Sequence, residues 1–228
     1  MQAGKVIGNA WELYKAHWRH LLPVALIVYV LVSLLSLLLA VLLGWVGVAA
    51  GILIAIAGIF WLQGALVVAV DDIRDGRADL SLSDTLARVR PRLNTLTLAG
   101  LLAAIAVTIG LALLIVPGLI LLTIWLVIVP AIMLEGHGVM SSFGRSRELV
   151  SGHGWNVFGV IVMTVLVLIA VGIGFGILEA AIDTAWASVV LDIASQTVTA
   201  PFVALAWTLT YYELRALKEP QPVPAAAA

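Results

Sequence analysis

Residues 135–155 read EGHGVMSSFGRSRELVSGHGW and gather two imidazoles, His137 and His153, with two carboxylates, Glu135 and Glu148. Imidazole and carboxylate are common ligands of zinc and non-haem iron, so a metal centre is one chemistry this segment offers. The other reading is mechanical: the GHG triplets are joints where the chain leaves a membrane and re-enters it. Spacing weighs between the two. If the residues between the histidines form a helix, it holds them roughly 20 Å or more apart, too far to share an ion unless the segment folds back. Glycine on either side of each histidine suits a helix end, where the backbone changes direction. The segment therefore reads as a hinged elbow with Arg145 and Arg147 as its working residues. Neither a metal nor a cofactor is expected.

A second polar constellation lies near the C-terminus. Asp192, Ser195, Gln196 and Thr199 share one helical face just before Pro201. They read either as a polar cavity opening outward, with Asp192 as an ion or substrate ligand, or as interhelical hydrogen bonding beside a proline kink. Pro130 likewise removes a backbone donor and should bend its helix. Gly172 and Gly176 form a GxxxG pair that permits close helix approach, within the fold or between subunits. No phosphate-binding loop, HExxH or GxSxG motif is present, and the chain has no cysteine for disulfides, thiol catalysis or thiolate metal binding.

The elements that must position these groups are set by hydrophobicity. The chain is 63% hydrophobic and 11% charged, far too apolar for a soluble surface of this size. Residues 21–70 carry no Asp, Glu, Lys or Arg. As one helix they would rise roughly 75 Å against a hydrocarbon core of about 30 Å, so they form two spans. The break is expected near Gly44 to Gly47. Residues 93–134 are a second charge-free run with an expected break at Pro117-Gly118, and a third apolar stretch, residues 155–212, is interrupted at EAAIDTAW, residues 179–186. The net charge of −1 is uninformative, but the placement of the charges is not. Lys5, Lys15 and Arg19 precede the first span; Arg74, Arg77, Arg88, Arg90 and Arg92 lie between the first and second pairs. Arg145 and Arg147 lie between the second and third, and Arg215 and Lys218 follow the last. Six spans put all of these on one side and leave the other with Glu179, Asp183 and Asp192. The positive-inside rule makes the basic side cytoplasmic, with both termini there. Trp18, Trp155 and Trp207 fall near that boundary, and Trp45 and Trp186 near the outer one.

The basic segments resemble one another. Ile7, Trp11, Tyr14 and Trp18 form an apolar stripe; Leu82, Leu86, Val89 and Leu93 repeat its spacing after a Ser81 or Ser83 N-cap. Val139, Phe143 and Val150 offer a third copy that Ser146 interrupts. The expected fold is an all-α integral membrane protein with six transmembrane helices in three hairpins. A cytoplasmic amphipathic helix in the headgroup layer precedes each hairpin, as a parallel pseudo-threefold repeat. It forms one polytopic domain over residues 1–217, and the Pro/Ala-rich residues 218–228 are expected to be disordered.

Two stretches carry a family resemblance: VPGLILLTIWLVIVPAIMLEGHGVMSSFGRSRELVSGHGW and TLTYYELRA. They resemble the membrane domain attached to some bacterial glycerophosphoryl diester phosphodiesterases, and stand-alone inner-membrane proteins of the YciC-like type. Pro117-Gly118, Trp125, Pro130, Glu135, the segment from Arg145 to Gly152, and Tyr211, Glu213 and Arg215 fit that pattern. The resemblance implies a six-span fold in a bacterial inner membrane. It does not bring the phosphodiesterase activity, which belongs to a separate soluble barrel that these residues do not encode.

Glu135 ends the fourth span, Arg145 and Arg147 lie on the helix after it, and Glu213 and Arg215 end the sixth. A charge cluster of these five is expected, tying that helix to both spans. Arg88, Arg90 and Arg92 add to it a basic belt facing lipid headgroups. Two functions fit. One is a non-enzymatic membrane protein that organises anionic lipid or partner proteins through this belt. The other is a transporter or permease for a lipid or small amphipathic molecule, which requires a cavity reaching Asp192. An intramembrane enzyme lacks paired catalytic groups. The expected partners are membrane lipids with anionic cytoplasmic headgroups, with a second copy or another membrane protein as further candidates, and no nucleic acid.

Overall fold

A computed structural model describes residues 1–74, 80–182 and 184–219. Among these residues the chain is helical, with no strand. Six stretches are long and apolar enough to cross a membrane, which makes this a multipass membrane protein. Arg77, Asp183 and residues 220–228 lie outside the described residues.

Helix α1 runs from Ala3 to Leu43 with a kink at His17, where φ is −126° and ψ 17°. The ring Nδ1 of His17 lies 3.3 Å from the Leu13 carbonyl, covering a backbone group that the kink disturbs. The helix ends at Gly44, whose φ of +56° few other residues adopt, and α2 (Trp45–Arg74) starts at once. The two helices are then so close that a Cβ on Gly47 would fall 1.8 Å from the Leu39 carbonyl oxygen. Farther along, Gly51 rests on Ser36 and Gly58 on Val32.

Helix α3 (Leu82–Val89) is capped by Ser81, whose Oγ accepts from the Asp84 amide at 3.2 Å. A 3-10 turn, Arg90–Arg92, leads into α4 (Leu93–Leu113). The break after α4 falls at Leu114, which is extended, and not at Pro117-Gly118. Pro117 instead sits in the first turn of α5 (Ile115–Ile124), where a missing N–H costs no intrahelical bond, and Gly118 packs on Gly110 and Leu111.

The next interruption, residues 125–127, lies one turn before Pro130 in α6 (Ile128–Glu135). Pro130 has no amide for the Leu126 carbonyl. The Ile128 amide turns to Trp125 at 3.3 Å, and the Ile124 carbonyl accepts from the Ser146 hydroxyl at 2.7 Å. Ser146 belongs to α7 (Val139–Val150). Helices α8 (Gly154–Ile182) and α9 (Ala185–Lys218) complete the chain. Helix α9 continues to Lys218 and Glu219 is placed after it, two residues into the segment expected to be a loose tail.

Burial is uneven along the helices. The core draws on Val6, Ala10 and Leu21 of α1, Leu62 to Val70 of α2, and Leu96 and Ala99 of α4. It also takes Val129 to Ile132 of α6, Val157 and Val160 of α8, and Ala200 to Ala206 of α9. These are the halves of the helices that adjoin the basic segments. The opposite ends are open: Val41, Trp45, Leu113, Ile115, Ile177 and Trp186 are all exposed apolar residues. A Cβ on Gly172, Gly174 or Gly176 would meet no other element within 4 Å among the described residues.

The expected apolar stripes are divided: Val89 and Val150 are buried and Ile7, Tyr14, Leu82, Leu93, Val139 and Phe143 pack against the core, but other stripe residues are not. On α1 the buried residues are Val6 and Ala10, while Trp11 and Trp18 are half-exposed. On α3 Thr85 is buried and Leu86 exposed; on α7 Ser142, Ser146 and Leu149 are buried and Phe143 only partly so. Beside the stripe residues, the inward faces take in the residue one place earlier: Val6, Ala10, Thr85, Ser142 and Leu149 are all buried. Of these, Ala10, Thr85 and Ser142 are small enough to let helix backbones approach.

Candidate functional site

Glu135 is the last residue of α6, and Gly136 after it takes φ +78°. That left-handed residue turns the chain so that the amides of Gly136 and His137 both point back to the Ala131 carbonyl. It also leaves the Glu135 carboxylate facing α7 and α9. Arg145 of α7 grips it with two bonds, Nε to Oε2 at 2.7 Å and Nη2 to Oε1 at 3.1 Å. Tyr211 of α9 donates its hydroxyl to Oε1 at 2.6 Å, and the His137 Nε2 lies 2.9 Å from Oε2.

The acid and the guanidinium are only 13% and 11% exposed, and Tyr211 is fully buried. Arg145 then reaches Glu148 at 3.3 Å and Glu219 at 2.5 Å, and Glu219 also accepts from Arg215 at 3.2 Å. Its hydrogen bonds to Glu135 raise the Arg145 pKa further above an already high value, against desolvation. Hydrogen bonds from Arg145 and Arg215 hold the exposed Glu219 carboxyl below its ordinary range.

Of the five residues expected to cluster, the structure brings together Glu135, Arg145 and, through Tyr211 and Glu219, Arg215. Arg147 is turned away from Glu135 to the other side of α7, and Glu213 makes no ion pair among the described residues. Sequence reasoning missed Glu219, although its position four residues after Arg215 is a standard helical pairing distance. It also missed a neighbouring tie in which the Tyr212 hydroxyl donates to Asp71 while Arg74 lies 3.7 Å from the Tyr212 ring centre. Both contacts fasten the end of α2 to the end of α9.

The basic residues of the second segment take two positions. Arg88 and Arg90 are exposed, whereas Arg92 lies over the Gly136 turn, with Nη2 2.9 Å from where a Cβ on that glycine would stand. A cation over a helix C-terminus is favourably placed. The two histidines of the elbow occupy different surroundings: His137 joins the Glu135 cluster, and His153 lines a cavity.

That cavity, of 690 Å³, opens between α5 and the α7–α8 elbow. Its wall is apolar, with Val116, Leu119 and Ile120 of α5 and Phe158 of α8; its polar edge holds Arg147, Ser151, His153 and Asn156. Among the described residues no Asp or Glu lines it. A second cavity, of 350 Å³, lies among Arg19, His20, Asp72, Ser81 and Thr85. Glu135, Arg145 and Tyr211 line neither cavity. The geometry of that cluster is a lock between helices, joining α6, α7 and α9.

On α9, Gln196 donates to Asp192 at 2.9 Å, while Thr199 returns its hydroxyl to the Ser195 carbonyl at 2.9 Å. Asp192 is exposed and lines neither cavity. Among the described residues no group of three or more His, Asp or Glu side chains is close enough to hold a metal ion. No family model, curated protein or solved structure matches the chain.

Proposed function

We propose that the chain is a non-enzymatic protein of the bacterial inner membrane that organises anionic lipid, and membrane partners with it, through a basic cytoplasmic face. Its helices form three hairpins, α1–α2, α4–α5/α6 and α8–α9, each preceded by an interfacial helix, with both termini in the cytoplasm. The six-span layout of the membrane-domain family that the sequence resembles belongs to the same reading. The observation that carries it is where the charge lies. Arg92 lies over the Gly136 turn, Arg74 over the Tyr212 ring, and Arg145 and Arg215 share Glu219, so these four gather at the packed end of the bundle, while Arg88, Arg90 and Arg147 are exposed on the segments that adjoin it. Each basic residue near an anionic surface contributes about 1 kcal/mol of attraction. The exposure of Trp11, Trp18 and Leu86 supports the interfacial placement, since large apolar side chains suit lipid better than water.

Transport is the less supported reading, because neither cavity reaches the Asp192 face that it requires. The test is lipid analysis of the chain extracted with its surrounding bilayer. Phosphatidylglycerol should be enriched over the bulk membrane, and Arg88→Gln with Arg90→Gln should reduce the enrichment without changing the fold. A lipid shell of bulk composition overturns the proposal, as does substrate-dependent flux through liposomes.

A further inference from the structure

The 690 Å³ cavity at the elbow has the shape and chemistry of a receptor for one molecule, not of a diffuse surface. Its α5 wall extends from Val116 to Ile124, about 12 Å along the helix axis. Val116 and Ile120 are exposed on that wall and present nothing polar. At the other side stand two polar groups without partners. Arg147 is exposed and makes no ion pair among the described residues, although two glutamates of the same region are drawn to Arg145 three and ten residues away. His153 lines the same cavity, and its buried Nδ1 has no hydrogen-bond partner. Trp155, 88% exposed, stands beside them, where an indole suits the boundary between headgroups and chains. An exposed guanidinium without an ion pair, an imidazole beside it and an apolar trough that, among the described residues, no acid lines are complementary to a ligand with an anionic head and a hydrocarbon tail.

We propose that this cavity binds a single anionic phospholipid, with its phosphate at Arg147 and His153 and an acyl chain laid along α5 towards Val116. This deepens the lipid-organising reading and rests on it for the class of ligand, but it assigns a discrete site on the α5–α8 side, separate from the belt of Arg88 and Arg90. A bound lipid would fill the gap between α5 and α8 and brace the elbow that carries Arg145. The Glu135 lock and the lipid site would then hold the two faces of one helix, α7.

The test is native mass spectrometry of the purified chain titrated with phosphatidylglycerol, phosphatidylcholine or glycerol phosphate. One phosphatidylglycerol should remain bound per chain. Retention should fall about tenfold in Arg147→Gln, as expected for loss of a charge-assisted contact. It should fall similarly in Ile120→Trp, which fills the trough from an exposed position, and stay unchanged in Arg88→Gln with Arg90→Gln. Equal retention of phosphatidylcholine overturns the proposal, and so does binding of glycerol phosphate as tight as that of the lipid. Retention that survives Arg147→Gln and Ile120→Trp but falls with the Arg88 and Arg90 substitutions would keep the belt and remove the cavity site. Absence of any anionic preference in all variants would remove both.

Discussion

A carboxylate that accepts from a guanidinium fork, a phenol and an imidazole has few lone-pair positions left. Glu135 is such a group, and its partners come from three parts of the chain: the Gly136–Gly138 turn, α7 and α9. Removing one side of a largely desolvated pair costs more than the pair contributes, because it strands the other charge. Glu135→Gln and Arg145→Gln should each destabilise the protein by about 3 kcal/mol. Their combination should cost clearly less than the sum, and thermal denaturation in detergent gives the comparison; additive losses would refute the pairing. Arg147→Gln should leave stability unchanged in the same assay. The Glu219 arm adds a pH dependence. Its carboxyl titrates below the ordinary range in the folded state, so its contacts with Arg145 and Arg215 contribute above that range and are lost as pH falls through it. Glu219→Gln should therefore flatten the acid limb of the stability profile and have little effect near neutrality.

Among the elements, α7 was the least legible in the sequence, yet its side chains bond to α5, to the end of α6 and to Glu219 after α9. Ser146 interrupts the apolar pattern of the sequence, yet it is fully buried and its hydroxyl caps the carbonyl that the break before Pro130 exposes. The spans themselves were plain, because charge-free runs longer than a bilayer admit few readings. The rotation of α1, α3 and α7 was only partly legible, because hydrophobic periodicity identifies a protein core best when the surroundings are water. In lipid, a bulky apolar side chain is as stable outside as inside, so Trp11 and Leu86 look outward while Ala10 and Thr85 look in. The same reasoning explains the cluster. Charge type and depth singled out Glu135, Arg145 and Arg215, but only helix rotation decides that Arg145, and not Arg147, faces the acid. Ser146→Ala removes one hydroxyl and no charge. It should lower stability by about 1–2 kcal/mol, since the Ile124 carbonyl is then left without its donor, and hydrogen exchange at residues 125–128 should quicken before the rest of α6. Unchanged exchange there would show that the carbonyl has found another partner.

Over the whole molecule, packing is concentrated at one end. Leu62 to Val70 and Ala200 to Ala206 are deep in the core, and the Tyr212–Asp71 and Arg145–Glu219 contacts fasten the same end. Toward the opposite end each pair of helices meets mainly its own neighbour, Gly47 on Leu39 and Gly110 on Gly118. A bundle joined in this way behaves like a tripod with stiff feet and loose tips. When the bilayer thickens or thins, each leg can change its tilt without separating buried surfaces, so mismatch is met by small rotations. The melting temperature should accordingly vary less between short-chain and long-chain phosphatidylcholine than it does on Glu135→Gln; a sharp optimum at one chain length would show that the tips are held. The open ends of the helices thus make the protein a tolerant lodger in membranes of unequal thickness, with its stability set almost entirely at the other face.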